Sequence, residues 1–115
     1  MEDIMSSLST ELKRGTLTLL VLSQLKSKEY GYSLVQKLEE KQTPIEAGTL
    51  YPLLRRLEKQ ELLDSEWDTS ENRPRKFYTL SKKGLAVYEQ LKKQWEMISL
   101  SMEKVLREDN SNETD

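Results

Sequence analysis

The chain is 115 residues long, 36% hydrophobic and 33% charged, with a formal charge of −2. That length holds one domain with a modest core, of a kind that oligomerisation often supports. It has no cysteine and no histidine, which excludes disulfides, thiolate metal sites, cysteine nucleophiles and the commonest general base. No apolar run approaches the ~18 residues of a membrane span. The start, MEDIMSSLSTELKRG, lacks a basic region followed by an apolar one, so no secretory leader is expected and the expected location is the cytoplasm.

A charge of −2 argues weakly against a nucleic-acid partner, but the acids are unevenly spread. Glu2 and Asp3 lie near the start, and Glu108, Asp109, Glu113 and Asp115 near the end. Without those six the body carries 14 acidic and 18 basic residues, a net +4, and local distribution matters more than the sum.

Residues 1–9 are polar and read as a flexible arm. Ser9 or Thr10 can cap a helix running to about residue 25, whose apolar positions are Leu12, Leu17, Leu20, Val21 and Leu25. Lys13 and Arg14 fall in its first turns, where cations do not complement the helix dipole. A nearby phosphate would account for them, and so would chance. Residues 26–29 form a polar turn, followed by a helix over 31–41 with Leu34, Val35 and Leu38 inward. Tyr30 and Tyr32 bracket Gly31 at its start, either as core-edge rings or as hydroxyl donors to phosphate; for Tyr32, packing is the favoured reading.

A short link containing Pro44 leads to the stretch IEAGTLYPLLRRLEKQELL, residues 45–63. Leu50, Leu53, Leu54 and Leu57 follow the i, i+3, i+4, i+7 spacing of an amphipathic helix. The opposite face carries Gly48, Pro52, Arg55 and Lys59, flanked by Tyr51 and Arg56. Such a face suits either a DNA groove or plain solvent. Glu46 stands near the positive end of the helix dipole. With the helix starting near Ala47, Pro52 falls in its first two turns and leaves the Gly48 carbonyl without its usual donor.

After Leu63 the period changes to two. Leu63, Ser65 and Trp67 alternate with Asp64, Glu66 and Asp68, TSENRP is turn-rich, and RKFYTL reads as a second strand. Arg73, Arg75 and Lys76 make the hairpin exit basic. A final helix over 82–107, capped by Ser81, would be ~37 Å long at 1.5 Å per residue. Tyr88, Leu91, Trp95, Ile98, Met102 and Val105 make a seam of period near 3.5 along it. A small helical head cannot cover that seam, so a second copy of the chain is expected to. Residues 108–115 read as a disordered acidic tail.

The expected fold is therefore mainly α with a small β-hairpin: a winged helix-turn-helix over residues 1–80 and a C-terminal dimerisation helix over 81–107. Four pieces, KRGTLTLLVLSQL, YGYSLVQKLEE, GTLYPLLRRLEKQELL and RPRKFYTLSKKG, occur in one register. Together they closely resemble the PadR family of bacterial transcriptional regulators, over residues 12–84. The single C-terminal helix is similar to that of the shorter PadR subgroup.

The resemblance implies a homodimer that binds an inverted-repeat operator, usually as a repressor. Its third helix would enter the major groove with Glu46, Ala47, Gly48, Thr49, Tyr51 and Arg55. Arg73, Arg75 and Lys76 would meet backbone or minor groove, and Lys13, Arg14 and Tyr30 become further candidate phosphate contacts. Glu61 stands where the family commonly has glycine, and Tyr30 where it often has histidine. Trp95 by itself reads as an interface aromatic. The shorter subgroup includes members whose paired tryptophans sandwich flat aromatic compounds, so a planar aromatic ligand at Trp95, with Glu96 or Glu103 nearby, is a further expectation. The competing reading is a helical dimeric adaptor that binds protein instead of DNA. An enzyme fits worst: Glu39 and Glu40 diverge on a helix, and no phosphate-binding glycine loop, metal cluster or nucleophile–base pair is visible. No cofactor is expected.

Overall fold

The computed structural model describes residues 1–112. In chain order the elements are α1 (Glu2–Arg14), α2 (Leu17–Ser23), β1 (Glu29–Tyr30), α3 (Gly31–Glu40), α4 (Ala47–Lys59), β2 (Leu63–Asp68), β3 (Arg75–Leu80) and α5 (Lys82–Asn112).

The N-terminal region departs from expectation. Residues 1–9 are not an irregular arm, and no single helix spans 10–25. The break falls at Gly15–Thr16, where both the Thr16 amide and the Thr16 hydroxyl donate to the Lys13 carbonyl, at 3.0 and 2.7 Å. Glycine is a poor helix residue and threonine bonds back to the turn before it, so the ladder stops there. Glu2 and Asp3 occupy the first turn of α1 and Lys13 and Arg14 its last. The basic pair thus complements the dipole instead of opposing it. α1 buries no residue, and Leu12, expected in the core, is 80% exposed.

The core forms where the apolar faces of α2, α3 and α4 meet. Val21, Leu22, Leu25, Leu34, Leu38, Leu50, Leu54 and Leu57 are all fully buried. The α4 stripe read from the sequence is the one that faces inward. Gly31, at the start of α3, lies under the Tyr51 ring of α4, where an added Cβ would overlap the ring with its Cζ and hydroxyl oxygen at 2.8 Å.

Two helices end on the same device without a glycine. Past α3, Gln42 has φ 63° and the Thr43 amide donates to the Leu38 carbonyl at 2.9 Å; past α4, Glu61 has φ 65° and the Leu62 amide donates to the Leu57 carbonyl at 3.0 Å. Both are Schellman closures. The position of Glu61 is one where the left-handed backbone suits glycine.

The hairpin forms as expected, with Leu63 opposite Leu80 and Asp68 opposite Arg75. The segment read as a polar turn adds a third strand: Glu29 and Tyr30 pair with Tyr78 and Phe77, giving the antiparallel order β1-β3-β2. A two-residue strand has no alternation to read, so only its tertiary pairing reveals it.

The Ser81 hydroxyl accepts the Gly84 amide at 2.9 Å and caps α5. Its first turns lie on the head. Tyr88 is buried in the core, and Val87 and Leu91 pack against it. Tyr88 is thus an intramolecular core residue, not the seam residue the heptad pattern suggested. Further out, Trp95, Ile98, Met102 and Val105 are 48–61% exposed. The helix continues to Asn112, so residues 108–112 are helical where disorder was expected. The last three positions of the expected tail lie outside the described residues.

Candidate nucleic-acid interface

The first turn of α4 is presented to solvent. Glu46 is its N-cap, with extended backbone at φ −66° and ψ 146° and no side-chain cap bond. Its carbonyl accepts the Thr49 and Leu50 amides at 3.0 and 2.9 Å. Glu46, Ala47, Gly48 and Thr49 are all exposed, and a Cβ at Gly48 would meet nothing within 4 Å. Pro52 lies inside the helix and supplies no amide to the Gly48 carbonyl, so this exposed face carries an acceptor as well as hydroxyls. Tyr51 is half-buried against Gly31, and Arg55 is exposed one turn further on. Among the described residues, Arg55 has no ion-pair partner within 4 Å.

Lys13 lines a shallow groove with Thr43, Pro44 and Ile45, the link that leads into Glu46. Lys13 and Arg14 are both exposed. The fold thus brings the end of α1 toward the start of α4.

The wing is more tightly bonded than a basic hairpin tip need be. The Tyr30 ring stacks between those of Phe77 and Tyr32, with centroids 4.1 and 5.4 Å away. Its hydroxyl donates to Asp68 at 2.6 Å. The Arg75 guanidinium lies 4.6 Å from the Tyr30 centroid and 5.7 Å from that of Tyr32. It also donates to the Tyr32 hydroxyl at 2.7 Å and pairs with Glu71 at 2.6 Å. Tyr32, expected to pack, stacks on Tyr30 at the surface and is 45% exposed.

Lys76 reaches back from β3 to Glu58 on α4, at 2.8 Å, and Glu58 also accepts the Ser65 hydroxyl at 2.5 Å. These bonds hold the Glu58 carboxyl below its usual range, the Lys76 ammonium contributing most. The same pairing raises Lys76. Asp68 is held at about 2 by the Ser70 hydroxyl, then by the Tyr30 hydroxyl and the Ser70 amide. Tyr30 is raised in turn, chiefly by its bond to Asp68.

The site expected from sequence therefore separates into two groups, with Tyr51 between them, half-buried against Gly31. Glu46, Ala47, Gly48, Thr49, Arg55, Arg73, Lys13 and Arg14 are open. Tyr30, Arg75 and Lys76 are engaged within the protein. Glu58, Asp68 and Glu71 were not anticipated. Each is an ordinary surface acid in the sequence; the packing of α4 against the hairpin brings Glu58 to Lys76, the pairing of β1 with β3 brings the Tyr30 hydroxyl to Asp68, and the hairpin loop brings Glu71 to Arg75.

A separate cleft of about 400 Å³ lies between α2 and α5, lined by Leu19, Leu20, Ser23, Tyr88, Trp95 and Glu96, among others. Of the two acids expected near Trp95, Glu96 shares this cleft, while Glu103 pairs with Arg107 along the helix. No cluster of potential metal ligands occurs among the described residues, and no helix there is long and apolar enough to cross a membrane.

Comparison with known proteins agrees with this geometry. The model of the transcriptional regulator PadR-like family matches residues 19–90. A PadR family transcriptional regulator from Eggerthella lenta is 50% identical, with a TM-score of 0.86 over 91% of this chain and 94% of that one. An uncharacterized protein from Lysinibacillus sphaericus is 32% identical over 103 residues, 82% of this chain and 94% of its own length. Bacillus subtilis PadR, solved in complex with operator DNA, shares the fold at 20% identity and a TM-score of 0.62, over 66% of this chain and 45% of that one. The family model covers more than half of the chain, and the Eggerthella lenta regulator matches it at 50% identity over most of both chains: the chain belongs to the PadR-like family of transcriptional regulators.

Proposed function

We propose that the chain works as a homodimeric repressor on an inverted-repeat operator in the cytoplasm, with a planar aromatic compound as its releasing ligand. The observation that carries the DNA reading is the first turn of α4. Its leucine face is wholly committed to the core, while Glu46 to Thr49 stand exposed at the end of the helix, with open space above Gly48. A helix held rigidly from behind and bare of large side chains at its tip fits a major groove. Thr49 and Tyr51 offer hydroxyls to base edges or phosphates. Arg55, Arg73, Lys13 and Arg14 supply open cations for the backbone.

The dimer reading rests on α5. Trp95, Ile98, Met102 and Val105, with Met97, Leu100 and Leu106 beside them, leave an apolar face about half or more exposed at every position. A second copy laid against it would place two recognition helices for half-sites one turn of DNA apart, ~34 Å. Trp95 sits where the projecting part of α5 meets the head. A ligand stacked there would change the angle of α5 and hence the spacing of the readers. The Trp95 ring face suits a planar cation, and Glu96 and Lys92 both line the same cleft.

The test is binding to a duplex recovered by selection from a random-sequence library. Affinity should fall steeply with salt as counterions are released. Arg55→Ala combined with Arg73→Ala should weaken it without unfolding the protein. Unchanged binding by that variant would defeat the interface assignment. Salt-insensitive behaviour with no duplex bound would favour a protein-binding adaptor. A planar cationic dye should quench tryptophan fluorescence, and quenching that persists unchanged in Trp95→Ala would remove the ligand assignment.

A further inference from the structure

The wing carries three basic residues but opens only one. Arg73 is exposed and, among the described residues, has no ion-pair partner within 4 Å. Arg75 lies against the stacked Tyr30 and Tyr32 rings, donates to the Tyr32 hydroxyl at 2.7 Å and is closed by Glu71 at 2.6 Å. Lys76 is closed by Glu58 at 2.8 Å, with both side chains only about 30% exposed. Charge-assisted bonds of this kind are stronger than neutral ones, and the Lys76–Glu58 pair is partly shielded from water, while Glu71 is 66% exposed. A carboxylate also presents the same chemistry to a cation as a phosphate does: anionic oxygens that accept from N–H.

We propose that Glu58 and Glu71 are specificity-determining residues, which occupy Lys76 and Arg75 as phosphate stand-ins until a correctly seated duplex displaces them. The proposal rests on the DNA-binding reading above. Non-specific affinity is almost entirely electrostatic and grows with the number of phosphates neutralised. Each cation held inside the protein is therefore subtracted from binding to arbitrary DNA. A duplex that fits α4 brings phosphates to the wing at fixed positions, where exchange of one anion for another is possible in place. A loosely held duplex offers no such alignment, so the internal pairs persist. Glu58 is suited to this part because it stands on α4 itself and is bonded to Ser65 on β2 and Lys76 on β3. The acid that masks the wing cation belongs to the helix that reads the groove.

The experiment compares two duplexes of equal length: one selected from a random library by the wild-type protein, the other its scrambled sequence. Glu58→Gln and Glu71→Gln are measured separately, with Glu89→Gln, an exposed acid on α5, as a control for the same change in net charge. Glu58→Gln and Glu71→Gln should each raise affinity for the scrambled duplex several-fold. Each should also steepen its dependence of log K on log salt by about one, as one more phosphate is engaged. Selected-duplex affinity should rise less, so the specificity ratio falls. Adding Lys76→Gln to Glu58→Gln should cancel the gain. Thermal unfolding shows whether each variant is folded, and the exposed Glu71 provides the test if Glu58→Gln is not. Parallel changes on both duplexes, an unchanged scrambled-duplex slope, or an equal effect from Glu89→Gln would overturn the proposal while leaving the DNA reading intact. If the wild type binds no duplex in a salt-dependent way, the DNA reading itself fails and the proposal with it.

Discussion

Gly84 in the first turn of α5 lies directly against the backbone of Leu62, in the turn that closes α4. A Cβ at residue 84 would overlap the Leu62 carbonyl oxygen and stand 2.9 Å from its carbonyl carbon. The same oxygen accepts the Ser81 amide at 3.0 Å, and the Ser81 hydroxyl donates to the Glu61 carbonyl at 2.7 Å. α4 and α5 are therefore joined through the two bonds of Ser81 and through a close backbone approach at Gly84 that glycine alone accommodates without displacement.

That contact gives the substitution Gly84→Ala a defined sign. At an open helical site, replacing glycine by alanine stabilises by roughly 0.5–1 kcal/mol. Here the methyl must move a carbonyl or tilt α5, and the expected result is a loss of about 1–3 kcal/mol. Urea unfolding decides between the two, and a gain in stability would show that the two backbones are not in contact.

The helix closures at Gln42 and Glu61 predict the opposite behaviour. Both residues hold φ near +65° with side chains exposed. A left-handed residue other than glycine costs about 1–2 kcal/mol, part of which glycine returns through its freer unfolded chain. Gln42→Gly and Glu61→Gly should each stabilise by about 0.5–1 kcal/mol, seen as a higher unfolding midpoint with an unchanged denaturant slope.

Asp68 makes the wing sensitive to acid. Its carboxylate accepts the Ser70 hydroxyl and the Tyr30 hydroxyl, each at 2.6 Å, and the Ser70 amide at 3.0 Å. The carboxyl is held at about 2 against an ordinary 3.8. Because the shift is downward, the stabilisation is complete above the ordinary value and fades as pH falls through about 2. The Tyr30 ring should therefore loosen across that window, while the leucine core stays intact. Tyrosine resonances followed by NMR during acid titration measure this. Asp68→Asn should remove the transition and leave the wing loosened at neutral pH.

The α5 seam predicts an oligomeric change. Ile98 and Met102 are 61% and 55% exposed, so neither supports the fold of a single chain. Ile98→Glu or Met102→Glu should shift the sedimentation coefficient from dimer to monomer, with a helical spectrum close to the parent's and weaker binding to a two-half-site duplex. A dimer persisting in both variants would place the interface elsewhere.

Local patterning was enough to locate most of the elements. The four leucines of α4, the period-two hairpin, the Ser81 cap and the start of α5 all follow from patterns along the chain, because amphipathic burial has a fixed period in each kind of element. The open candidates Thr49 and Arg55 were legible for the same reason, since the period of α4 turns them outward, and Arg73 because it stands in the turn-rich loop of the hairpin. Three things were not. The helix break at Gly15–Thr16 depended on which turn the Thr16 hydroxyl bonds. β1 exists only because β3 lies beside it, and Tyr88 joined the core because α5 begins close against Leu62.

The charge state of the wing was hidden most completely. From the sequence by itself come the helical head, the hairpin and the family to which they belong. Only the tertiary structure decided that Arg75 and Lys76 are masked by Glu71 and Glu58. Spacing along the chain says which way a side chain points, whereas an ion pair between α4 and β3 depends on how two elements meet across the fold.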